Sequence, residues 1–163
     1  MHPLRTKYLA VETAISITVN AAISVGFVWL VFHGHDPVPT SGPGSLVRDA
    51  APQTFMVTLM STLVPSLITR QRMRSGHLDA WHRGQPGATH RPTSKIFLRA
   101  LAFAVAAGVV GLIVNAAILP LLFPGSLPYD RVFVLKAVYG ALIALVITPL
   151  AISWVLGESL PVA

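Results

Sequence analysis

Apolar residues fall in four long runs, from about Leu9 to Phe32, Pro52 to Thr69, Ile96 to Phe123 and Asp130 to Leu156. A helix crossing a bilayer needs roughly 20 predominantly apolar residues, so the pattern predicts four transmembrane helices. Within each run, small or polar residues recur at helical spacing. The first carries Glu12, Ser16, Asn20 and Ser24; the second Thr54, Thr58, Thr62, Ser66 and Thr69. The third carries Ala104, Gly108, Gly111 and Asn115, and the fourth Gly140, Ala144 and Thr148. Residues four apart share a helix face, so every helix is expected to turn one small or polar face inward.

The connections set the boundaries. His33 to Ala51 holds Pro37, Pro39 and Pro43, which rule out a continuous helix, and Pro52 suits a first helical turn. Gly84-Gln85-Pro86-Gly87 breaks any continuation of the second helix, and Pro92-Thr93-Ser94 offers a hydroxyl N-cap to the third. Pro124 to Pro128 reads as a tight turn. The first run exceeds the 7–15 apolar residues of a signal peptide and is expected to be retained. One membrane domain, 1–163, results: hairpin one over 9–69, a basic loop over 70–95, and hairpin two over 96–156. Val19-Asn20-Ala21-Ala22-Ile23 returns 95 residues later as Val114-Asn115-Ala116-Ala117-Ile118. The expected fold is therefore an all-α integral membrane protein made of two parallel-related helical hairpins. Asn20 and Asn115 are expected at matching depth, facing inward about a pseudo-twofold axis.

Composition supports the membrane reading. Of 163 residues, 53% are hydrophobic and 11% charged, with a mean hydropathy of +0.67, against about a quarter charged in soluble domains. The absence of cysteine excludes disulfides, thiolate metal sites and cysteine nucleophiles.

The net charge of +6 is unevenly spread. Seven of the twelve Lys and Arg lie between Arg70 and Arg99. By the positive-inside rule, that bias places both termini and the basic loop in the cytoplasm. Tyr8, Phe97 and Trp154 would then mark the inner interface, and Trp29, Phe55, Phe123 and Tyr129 the outer one. Arg70, Arg72, Arg74 and Arg99 are expected at anionic lipid headgroups, with Leu78 and Trp81 beside them. Lys136 is expected to snorkel outward. Nucleic acid is not an expected partner, since no folded reader or aromatic platform accompanies the basic residues.

Candidate chemistry is sparse. Glu12, Ser16, Asn20, Thr58, Thr62, Asn115 and Thr148 are the candidate interior polar or transport residues. They serve either as seams between helices or as a path for a small solute or ion. Glu12 is either a proton-coupling carboxylate or an interfacial partner of Arg5, Lys7 or Arg99. Pro65 and Pro149 remove intrahelical hydrogen bonds, free the carbonyls of Ser61 and Leu145, and predict kinks. His33, His35 and Asp36, and His77, Asp79 and His82, have metal-ligand types without a full coordination set. No catalytic triad or phosphate loop is present. No catalytic, cofactor or metal site is expected.

Asn20, Pro65 and the Arg70-Gln71-Arg72 tail, matched again by Asn115 and Pro149, resemble a family of small, uncharacterised bacterial inner-membrane proteins built of two helices. Gly157-Glu158 replaces the basic tail in the second half. The resemblance implies a duplicated hairpin in a multi-pass inner-membrane protein and carries no enzymatic activity with it. The expected role is a non-enzymatic membrane component that self-associates or binds a larger membrane partner. The alternative is a small dimeric transporter or channel.

Overall fold

A computed structural model describes residues 3–76 and 93–157, with side chains from Thr6 and from Lys95 in the two segments. Four helices dominate: α1 (Pro3–Phe32), α2 (Leu46–Arg74), α3 (Thr93–Leu122) and α4 (Tyr129–Leu156). Each contains a stretch long and apolar enough to cross a membrane. At 1.5 Å per residue, a 30-residue helix such as α1 is about 45 Å long. That exceeds the roughly 30 Å hydrocarbon core, so the helix ends reach into the headgroup region. The chain is an all-α, four-helix membrane protein.

α1 packs along α4, α3 packs along α2, and α2 and α4 pack on each other at the centre; α1 touches α2 only lightly. Each hairpin's first helix is thus held mainly by the second helix of the other hairpin. α2 is the least apolar helix and the most enclosed. Its Thr54, Thr58, Ser61, Thr62, Ser66 and Thr69 are all buried. The buried stripes of the other helices are the predicted ones. They are Glu12, Ser16, Asn20 and Ser24 on α1, Ala104, Gly108, Gly111 and Asn115 on α3, and Gly140, Ala144 and Thr148 on α4. A Cβ added at Gly111 would lie 2.9 Å from Thr54 Cβ, and one at Gly140 would lie 3.1 Å from the Asn20 carbonyl oxygen. These two glycines let the helix backbones meet.

α2 begins at Leu46, capped by Ser45, whose hydroxyl accepts from Arg48 N at 3.4 Å. Pro52 therefore lies inside the helix rather than in its first turn. Phe55 lies well along α2 against Gly108, not at an interface. Both α2 and α4 continue as single helices through Pro65 and Pro149.

The two interhelical loops meet at what we term the hairpin end; the opposite, terminal end holds the starts of α1 and α3. Two short strands not anticipated from the sequence, β1 (Val38–Pro39) and β2 (Ser126–Leu127), pair antiparallel there. Thr40 adds two bonds, from its N–H to Gly125 O at 3.0 Å and from its hydroxyl to Phe123 O at 2.8 Å. The carboxylate of Asp36 accepts from Tyr129 N at 3.1 Å, placing negative charge at the start of α4, where the helix dipole favours it. Beneath this clasp, Val28, Phe32, Val38, Leu46, Leu119, Leu127 and Val132 form an apolar cluster. Met73, Ile152, Val155 and Leu156, with Tyr8 and Leu9, form another at the terminal end.

Candidate functional site

Between the two apolar clusters lies a polar seam joining α1, α2 and α4. Asn20 Nδ2 donates to the Ser16 carbonyl at 2.8 Å and to Ser61 Oγ at 3.0 Å. A carbonyl can only accept, so this bond fixes which way the amide faces. Thr148 Oγ1 donates to Ser16 Oγ at 2.7 Å, extending the chain to α4. Asn20 Oδ1, Ser24 Oγ, Thr58 Oγ1 and Thr62 Oγ1 are buried and make no hydrogen bond among the described residues.

Toward the terminal end, Glu12 is only 6% exposed and pairs with Arg72 through a 3.0 Å contact. The Arg72 guanidinium also lies over the Tyr8 ring, 5.2 Å from its centroid, and the Tyr8 hydroxyl bonds Thr69 Oγ1 at 3.0 Å. Since α1 and α2 meet so lightly, a crevice of about 120 Å³ opens between them. Glu12, Ser16 and Asn20 line it from α1 with Ile15 and Val19; Met60, Val64, Pro65 and Ile68 line it from α2. Ile15, Val19 and Val64 are exposed on the flank, so the crevice faces the bilayer.

A second polar group sits nearer the hairpin end. Asn115 Nδ2 donates to the Gly111 carbonyl at 2.7 Å and to Tyr139 Oη at 2.8 Å, and Tyr139 Oη bonds Thr54 Oγ1 at 2.6 Å. One turn away, Lys136 Nζ pairs with Asp49 Oδ2 at 2.8 Å, with side chains 4% and 10% exposed. Gln53 Nε2 donates to the Lys136 carbonyl at 3.2 Å. The Lys136 side chain does not snorkel. It shares the buried α4 face of Val132, Gly140 and Ala144, and Asp49 on the first turn of α2 receives its charge.

The structure thus gathers Glu12, Ser16, Asn20 and Thr148 around one seam, buries Thr58 and Thr62 nearby on α2, and leaves Asn115 in a separate cluster. Both amides face inward, but not at one level. Asn20 meets Ser61, whereas the Asn115 network meets Thr54, seven residues earlier along α2, a difference of about 10 Å. Of the predicted headgroup arginines, Arg72, Arg74 and Arg99 are exposed, and Arg99 lies over Trp154. Arg72 is engaged by Glu12, and Arg70, 3% exposed, is enclosed beside Thr69 and Met73 rather than presented to lipid. Leu78, Trp81, His77, Asp79, His82 and the Pro92 cap lie outside the described residues. No group of three His, Cys, Asp or Glu that could hold a metal occurs among the described residues.

Asp49, Gln53 and Tyr139 were not singled out in the sequence; Arg72 was assigned to headgroups rather than to Glu12, and Ser61 was named for its carbonyl rather than for the hydroxyl that Asn20 meets. The one available signal was Lys136, a charge on the same helical stripe as Gly140 and Ala144. Comparison with protein families, curated proteins and solved structures finds no match for this chain.

Proposed function

We propose that this chain is a non-enzymatic component of the bacterial inner membrane, with both termini in the cytoplasm, that associates with itself through the outward face of α1. The predicted small-residue seams are consumed inside the bundle, where Gly108, Gly111, Gly140 and Ala144 are buried. Outside, α1 carries Ala10, Ala14, Thr18, Ala22 and Gly26, five small residues at four-residue spacing, all exposed, whereas the exposed alanines of α3, Ala102, Ala106, Ala116 and Ala117, form no such run. The α1 stripe carries the reading. The positions 95 residues on, also exposed, are Val105, Val109, Ile113, Ala117 and Leu121, an ordinary lipid-facing set. Glycine costs about 1 kcal/mol in a helix, and a Cβ at Gly26 would meet nothing within 4 Å. Small-xxx-small stripes let a second helix approach closely. The basic residues of the terminal end, Arg74 and Arg99 among them, suit anionic headgroups at the inner leaflet.

Single-molecule photobleaching of labelled protein in dilute liposomes tests this reading. Wild type is expected as dimers and Ala22→Leu/Gly26→Leu as monomers, with Ala117→Leu on α3 as an unaffected control. A wild type that is monomeric throughout sinks the proposal. A carrier is the second reading, favoured by the membrane-facing crevice that brings Glu12, Ser16 and Asn20 together. The apolar clusters at both ends suit an occluded carrier better than an open channel. Liposome flux lost in Asn20→Leu while the fold persists supports it.

A further inference from the structure

We infer that the crevice between α1 and α2 is a binding site for a lipophilic monocation entering from the bilayer, held by Glu12. This goes beyond self-association and names a solute class for the carrier reading. Three observations converge. The walls are apolar: Ile15, Val19, Met60, Val64, Pro65 and Ile68 give a ligand's hydrocarbon part nothing to hydrogen-bond. The crevice is open along its flank, where Ile15 is 53%, Val19 48% and Val64 40% exposed. Among the described residues, its one ionisable lining residue is a carboxylate almost wholly withdrawn from solvent.

The order of these groups along the membrane suits an amphiphile. Glu12 and Ile68 stand at the terminal end of the crevice, and Asn20 and Met60 lie eight residues further in, about 12 Å along the helices. A cationic head at Glu12 would leave its apolar body running inward between α1 and α2. The volume of about 120 Å³ is close to that of the roughly 150 Å³ apolar cavity known to hold benzene, so one aromatic ring is the scale of the body.

The chain supplies its own stand-in for the ligand. Arg72 holds Glu12 at 3.0 Å, yet its side chain is 47% exposed, so it can swing into water when another cation takes its place. Glu12 is enclosed and needs a cation beside it, but the half-exposed Arg72 can turn to water, so one cation can replace another at the carboxylate. Ligand and Arg72 therefore compete for one carboxylate, and removing Arg72 is expected to improve binding. A purely structural ion pair predicts the opposite, since losing either partner would harm the site.

Saturation-transfer NMR on protein in zwitterionic nanodiscs, with benzyltrimethylammonium as the probe, tests the inference. The neutral isostere neopentylbenzene controls for simple partitioning. Wild type is expected to bind the cation and to show no specific signal from the isostere. Arg72→Gln, which removes the half-exposed competitor and leaves the enclosed Glu12 to the ligand, should tighten the cation about two- to fivefold. Glu12→Gln and Val64→Trp, which remove the charge and fill the crevice, should abolish binding. The gain in Arg72→Gln cannot arise from misfolding. Equal losses in Arg72→Gln and Glu12→Gln, undiminished binding in Val64→Trp, or equal signal from the isostere would each overturn it. Binding without flux would leave the site standing and remove the carrier reading.

Discussion

Lys136 and Asp49 offer the sharpest test of the packing. Their charged atoms lie 2.8 Å apart with side chains 4% and 10% exposed, and the Lys136 carbonyl also receives Gln53. At an effective dielectric of 20, the gross attraction is about 6 kcal/mol, most of it offset by the desolvation of both ions. Removing one partner leaves the other buried and uncompensated, a loss of about 3–5 kcal/mol. Removing both discards attraction and desolvation together. Lys136→Met and Asp49→Asn are thus each expected to destabilise by about 3–5 kcal/mol. The double variant should lie within about 1 kcal/mol of wild type or above it. Reversible unfolding in mixed micelles at rising SDS fraction, followed by circular dichroism, supplies the four stabilities of the cycle. Single losses below about 1 kcal/mol that simply add in the double variant would show a hydrated pair and refute a buried one.

Three further outcomes follow from the geometry. Gly140→Ala, whose new Cβ would press on Asn20 O and Ser24, should cost about 1–3 kcal/mol in the same unfolding assay, while Gly26→Ala should cost nothing. Tyr139→Phe strips Asn115 and Thr54 of a shared partner and should cost about 1–2 kcal/mol, with no further loss on adding Asn115→Leu. Thr40→Val removes the hydroxyl bond to Phe123 O. It should speed amide hydrogen exchange in β1 and β2 while leaving the interior of α2 unchanged.

Helix number and inward faces were legible because both follow from local rules. Apolar length reports a span, and residues at i and i+4 share a side whatever the helix packs against. What the inward residues touch depends on helix order, which no local pattern states. Lys136 read as an outer-end cation because its own helix says nothing of Asp49, 87 positions earlier. Arg70 read as a headgroup contact because a basic loop starts there, yet the α2 face carrying Thr69 and Met73 turns it inward. Pro52 read as a helix start because proline is most at ease there, but Ser45 caps the helix earlier. Strands β1 and β2 escaped notice because two residues each hold no periodicity. Glu12 was weighed as a proton-coupling carboxylate or as an interfacial partner of Arg5, Lys7 or Arg99; the structure encloses it and pairs it with the half-exposed Arg72 of α2.

The unequal depth of the two repeated asparagines bears on what the repeat preserves, and the cysteine-free chain makes it measurable. Val19 and Val114 precede the asparagines and are both lipid-exposed, 48% and 44%, so Val19→Cys and Val114→Cys accept nitroxide labels without disturbing the seams. α1 ends at Phe32 and α3 at Leu122, which places Val114 five residues nearer the hairpin end of its helix. With the seven-residue offset along α2, the labels should differ in depth by about 7–10 Å. Collision with oxygen and with a water-soluble nickel chelate reads that difference directly, Val114 being the more accessible to nickel from the hairpin side. Equal depths would refute the helix register described here. The shared feature is then local: both amides donate to the carbonyl four residues back, at 2.8 and 2.7 Å, and both reach one hydroxyl on the second helix of their own hairpin. The two N–H donors of an asparagine anchored to its own helix need only one acceptor from elsewhere, and a serine at one depth or a tyrosine reaching from another can provide it. The repeated block carries that bonding unit rather than a fixed place in the bilayer. This is why the first unit can border the inner end of the crevice that Glu12 also lines, while the second closes a contact between α3 and α4.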